Sequence, residues 1–142
     1  MPPITTAQAM ALLQQGRIDA AANLFGRVLR DAPNDALAHA GLGHCLIRLG
    51  RQDEAWRSLG TACRLSDRIG QAFSDLAWLA MKRGDTAVAI KSAEHALALN
   101  NNDANAQFIV GQLRFQQRRY HDAERAFARA AQLHPDFVEA RY

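Results

Sequence analysis

Residues 43–62 read GHCLIRLGRQDEAWRSLGTA, and residues 77–96, 34 positions on, read AWLAMKRGDTAVAIKSAEHA. Few letters match, but the small residues keep register. Ala21, Ala55, Ala89 and Ala123 form one column, and Ala9, Gly43, Ala77 and Gly111 form another. Gly16, Gly50 and Gly84 form a third, broken at Arg118, and Val28, Ala62, Ala96 and Ala130 a fourth. Such a period marks a helix–turn–helix unit stacked on copies of itself. A stacked array builds an extended surface rather than a catalytic pocket, so the question of function becomes what docks on it.

Four units follow without a linker: residues 2–35, 36–69, 70–103 and 104–137, with 138–142 starting a capping or next-repeat helix. Each is expected to hold a helix A, a tight turn and a helix B. Gly16, Gly50 and Gly84 supply positive φ at the end of helix A. At Arg118 helix A is expected to run on, or to turn under strain. Asp19, Asp53 and Asp85 suit the start of helix B, where an acidic group meets free N–H groups and the helix dipole. Ala32-Pro33-Asn34-Asp35 and His134-Pro135-Asp136 end one helix and cap the next, and Asn100-Asn101-Asn102-Asp103 does so without proline. Pro2 and Pro3 shorten the first helix, leaving repeat one the least regular. Within helix B, Ala21–Phe25–Val28 recurs as Ala55–Leu59–Ala62, Ala89–Ala93–Ala96 and Ala123–Phe127–Ala130, an i, i+4, i+7 face. The small residue on each helix A, such as Gly43, is expected to meet the helix B alanine, small against small.

Gly43, Gly50, Ala55, Leu59 and Ala62, and again Gly111, Ala123, Phe127, Ala130 and Pro135, resemble the tetratricopeptide repeat pattern over essentially residues 2–137. The bulky residue near the start of the family's helix A survives only as Phe73; Thr5, His39 and Gln107 stand elsewhere. The resemblance implies an all-α fold, a right-handed α-solenoid of antiparallel helix pairs. It also implies that helices A line a concave face binding an extended peptide or a helix of a partner protein.

Carried over to this chain, that face holds Met10, Leu13 and Gln14, then Leu37, Ala40, His44, Ile47 and Arg48, then Gln71, Ser74, Asp75, Trp78, Met81 and Lys82. The last repeat adds Asn105, Phe108, Ile109, Gln112, Phe115 and Gln116. Trp78, Phe108 and Phe115 stand out, because large apolar groups gathered on one exposed side mark a partner site. The bland alternative packs them between repeats as core. The family's carboxylate-gripping Lys and Asn positions hold Thr6, Met10, Gly41, Gln71 and Asp75 here, so that mode is rejected.

His44, Ser74 and Asp75 suggest a hydrolytic trio, but Ser74 and Asp75 are consecutive and diverge by about 100° on one helix. A His44–Asp75 hydrogen bond or ion pair, with a raised histidine pKa, is the better expectation. The spacings of His39, His44 and Cys45 do not suit a metal site, and no phosphate loop or other cofactor motif is present. No catalytic residue is therefore assigned. Cys45 and Cys63, offset by about five residues or roughly 7–8 Å along paired helices, read as reduced, packed thiols.

The formal net charge of +3 is modest, with Arg114, Arg118, Arg119, Arg125 and Arg129 the densest basic group. Solvated helix faces account for it better than a nucleic-acid partner does. No run approaches the ~20 apolar residues of a membrane span, and Met1-Pro2-Pro3-Ile4 lacks a signal pattern, so a cytoplasmic location is expected. The leading expectation is a scaffold that binds a protein or peptide partner. The alternatives are a recruitment or self-association module of a larger bacterial enzyme, or a small secretion chaperone. Phe127, Phe137, Val138 and Tyr142 would leave an apolar end through which homo-oligomers form.

Overall fold

A computed structural model describes residues 4–134. Those residues form eight α-helices and no strand: α1 (Thr6–Gln14), α2 (Ile18–Asp31), α3 (Ala36–Arg48), α4 (Gln52–Leu65), α5 (Gly70–Arg83), α6 (Thr86–Leu99), α7 (Ala104–Gln116) and α8 (Tyr120–Leu133). The odd-numbered helices occupy the A positions and the even-numbered ones the B positions. The chain divides into two compact units, one ending at Asp75 and the other beginning at Leu76, within α5. Pro2, Pro3, Pro135, Asp136, Phe137 and Val138–Tyr142 lie outside the described residues.

Every A-to-B turn has one geometry. Gly16, Gly50 and Gly84 take φ of 79°, 79° and 78°, and Arg118 takes φ of 62°. The N–H of each bonds three residues back, as Gly50 does to the Ile47 carbonyl at 3.0 Å. The N–H of the next residue bonds five back, as Arg51 does to Leu46 at 2.8 Å and Arg119 to Arg114 at 2.9 Å. This pair of bonds closes a helix through one left-handed residue. Arg118 thus turns with strain, and α7, at 13 residues, matches α3 and does not run on.

The caps divide by position. Thr5 closes a capping box with Gln8, while Asp35, Asp85 and Asp103 accept from the backbone N–H of Ala38, Val88 and Ala106. Asp19 and Asp53 lie inside the first turn of their helices, behind Arg17 and Arg51, which make no side-chain cap. There a negative charge is favoured by the helix dipole. Helix α1 has only 9 residues.

In the first unit α1 packs on α2, α2 on α3, and α3 on α4. Ala9, Ala21, Phe25, Val28, Ala38 and Cys45 form a buried cluster, with Met10 and Leu13 packed against it. In repeat one the small helix A residue Ala9 and the helix B alanine Ala21 share this cluster, while at the glycines the nearest groups are large side chains. A Cβ added at Gly43 would lie 2.6 Å from the Leu59 side chain, and one at Gly111 would lie 2.7 Å from the Phe127 ring. Gly41 similarly leaves room for the ring of Phe25. A missing side chain on helix A therefore receives a large one from helix B, which brings the helices close without opening a void. In the second unit α6 packs on α7 and α7 on α8.

Two substitutions test these constraints. Replacing Arg118→Gly should raise stability by about 1 kcal/mol through relief of left-handed strain. Replacing Gly111→Ala should lower it by about 1–3 kcal/mol through overpacking. Urea unfolding monitored by circular dichroism measures both; a neutral Gly111→Ala would show that Phe127 moves aside freely.

Candidate functional site

Helix α3 carries His44, Ile47 and Arg48 at i, i+3 and i+4, so they share one face. His44 and Ile47 are half-buried and Arg48 is exposed. Leu37, the second residue of the same helix, is 44% exposed. The first residues of α5 complete the arrangement in the first unit. Asp75 Oδ2 lies 2.9 Å from His44 Nδ1, and Asp75 Oδ1 accepts from Gln71 Nε2 at 3.0 Å. The Gln71–Asp75 spacing of four residues on one helix makes that second bond local.

The Asp75 side chain is only 10% exposed and the His44 side chain 30%. Burying a carboxylate is costly unless its oxygens find donors, and here each has one. The hydrogen bond that Asp75 accepts raises the His44 pKa above its ordinary 6.5, against desolvation and the positive charge of Arg48. Ser74 is 1% exposed. The three residues that suggest a hydrolase are therefore a hydrogen-bonded His44–Asp75 pair and a buried serine.

The cysteines are free, Cys45 buried and Cys63 half-buried. Burial pushes both thiols up to about 11, which keeps them neutral and unreactive near neutral pH. No group of three or more potential metal ligands occurs among the described residues.

In the second unit, Trp78 and Met81 are half-buried and Lys82 is exposed. The Lys82 ammonium stands 5.3 Å from the Trp78 ring centroid, a cation–π contact along one turn of α5. Asn105 and Gln112 are half-buried on α7. Phe108 corrects the expectation of an exposed aromatic. It is 5% exposed and packs on Phe127 with ring centroids 5.5 Å apart, holding α7 to α8. Phe115 is 57% exposed but joins a different neighbourhood. It meets Tyr120 edge-on at 5.2 Å and, with Ala123, Phe127 and Ala131, lines a concavity of ≈ 440 Å³. Sequence reasoning missed Tyr120, although an aromatic just past the turn from an exposed Phe was the available signal.

Much of the basic group is engaged locally. Arg114 binds Glu94 at 3.0 Å, Arg119 binds Asp122 at 2.7 Å, and Arg129 donates to Asn102 at 2.6 Å. No described helix is long and apolar enough to cross a membrane.

A family model described as Tetratricopeptide repeat matches residues 6–66 and 74–136. No curated protein matches significantly. Among solved structures, the crystal structure of MamA aligns with a TM-score of 0.75 and 23% identity, covering 93% of this chain and 77% of that one. YrrB, described as a TPR protein with an unusual peptide-binding site, aligns at 0.74 and 23%, covering 89% and 66%. The APC/C hetero-tetramer Cut9–Hcn1 aligns at 0.73 and 23%, covering 90% and 24%. At these identities the likeness is one of fold.

The pair makes stability depend on pH. Because the folded His44 pKa is raised, the stabilisation is complete below the unfolded value near 6.5 and is lost as pH rises through the folded value. Histidine NMR should titrate His44 above 6.5 in the native chain. In Asp75→Asn, burial and Arg48 remain, so His44 should titrate below 6.5. An unshifted His44 in the native chain would mean that the contact does not persist in solution.

Proposed function

Because the chain belongs to the tetratricopeptide repeat family, we propose that it is a protein-interaction module. Its A helices form the partner surface. In the first unit that surface comprises α1, α3 and the start of α5, and it holds an extended peptide or a helix of a partner. The observation that carries this reading is the mixed face of α3. It combines exposed Leu37, half-buried Ile47 and a fixed His44 on residues that do not recur along the repeat. Apolar side chains left partly open beside oriented polar groups are what a protein partner uses. In the second unit, Trp78, Met81, Lys82, Asn105 and Gln112 belong to the same proposal, taken by themselves. Peptide binding by YrrB lends support by fold alone.

Selection of random 12-residue peptides on the purified chain tests the reading. Bound peptides should shift backbone amide signals of α1, α3 and the start of α5, and Ile47→Glu should weaken them about tenfold. Peptides that shift only the B helices and tolerate Ile47→Glu would dismiss it.

A second reading, self-association, is favoured by the exposed Phe115–Tyr120 pair and the apolar concavity beside it. Exposed aromatics at a concave apolar patch are disfavoured on a monomer surface. Sedimentation velocity should then show a coefficient that rises with concentration and reverts with Phe115→Asp. A coefficient that stays monomeric at every concentration would discard this reading.

A further inference from the structure

Resting on the reading of the first unit's A-helix face as a partner surface, we propose that His44 and Arg48 receive a side-chain carboxylate of the partner, with protonation of His44 as the gate. The argument starts at Asp75. Its carboxylate is nearly buried and has both oxygens occupied, one by Gln71 Nε2 and one by His44 Nδ1. A carboxylate only accepts, so the proton of that second bond sits on Nδ1. The ring is therefore fixed in orientation and in tautomer, and Nε2 is the atom left to face a ligand. Among the described residues nothing hydrogen-bonds to Nε2.

In the neutral ring Nε2 bears a lone pair and repels an anion. In the imidazolium it bears a proton and donates. Arg48 stands one helical turn further along α3, exposed, with no carboxylate paired to it among the described residues. Residues four apart on a helix lie about 5–6 Å apart at Cβ, close enough for one carboxylate to bridge both donors. Charge-assisted bonds of this kind are the strong ones.

The local charge supports an anion. Asp75 and Arg48 are the charges that act on His44. Helix α1, packed beside α3, carries no ionisable side chain. Cys63, which feels Asp75 from α4, is a neutral thiol. With His44 neutral, Asp75 and Arg48 cancel. With His44 protonated, the cluster holds one excess positive charge, and the hydrogen bond to Asp75 extends that state upward in pH. Leu37 and Ile47 flank the pair on α3, so the partner's acidic residue is set among apolar ones.

The peptides selected on the native chain, resynthesised with amidated C termini, test this directly. At pH 6, replacing their Asp or Glu by Asn or Gln should weaken binding about tenfold, as should Arg48→Gln in the protein. Affinity should fall about tenfold between pH 6 and pH 9 in the native chain and stay flat in His44→Gln. Arg48 is exposed, so its variant folds whatever His44→Gln does. Peptides that bind this face without an acidic residue, or with a flat pH profile in the native chain, overturn this inference and leave the partner surface standing. Loss of binding on amidation places the acid at a chain terminus and overturns the side-chain assignment. Peptides that bind elsewhere overturn both.

Discussion

One backbone residue at positive φ closes each A helix, and the remaining structure is arranged around that reversal. The two hydrogen bonds of the turn satisfy carbonyls that would otherwise be left open, and they start helix B at a set angle. Glycine adopts the conformation without strain at 16, 50 and 84. Arg118 adopts it against its own preference at φ of 62°. Docking of α8 on α7 through the Phe108–Phe127 contact and the Gly111 gap holds it there. The turn is thus a property of the packed pair and not of the residue alone.

Once the turn brings the two helices together, their spacing depends on which side chains meet. Leu59 occupies the gap at Gly43, Phe127 the gap at Gly111, and Phe25 the gap at Gly41. These contacts take up part of the surface of α3 and of α7, and half-buried His44 and Ile47 stand on α3 outside them. The columns that recur every 34 residues serve helix packing, whereas His44 and Asp75 lie outside those columns.

His44, Asp75 and Gln71 show how one buried charge orders the side chains beside it. A buried carboxylate must be matched, and the match fixes an imidazole that would otherwise rotate. The ring then presents a single titratable nitrogen at the edge of an apolar strip. Beside it Ser74 is buried and the two thiols are held neutral.

The helix pairs, the turn positions and the Asp35 and Asp103 caps were legible from sequence because each depends on residues within a few positions of one another. The His44–Asp75 pair was legible too, because a 34-residue period sets residues 31 apart on neighbouring helices. Other features were decided only by tertiary structure. Phe108 and Phe115 lie on the same helix and look alike in sequence, yet one is core and the other exposed. Which it is depends on the Phe127 ring, brought from α8, and no local pattern encodes that. That the Leu59 side chain fills the gap at Gly43 was decided the same way, since close packing rewards a large group in a gap. Periodicity set the order and direction of the helices; interdigitation of side chains from separate helices set which of their residues remain exposed.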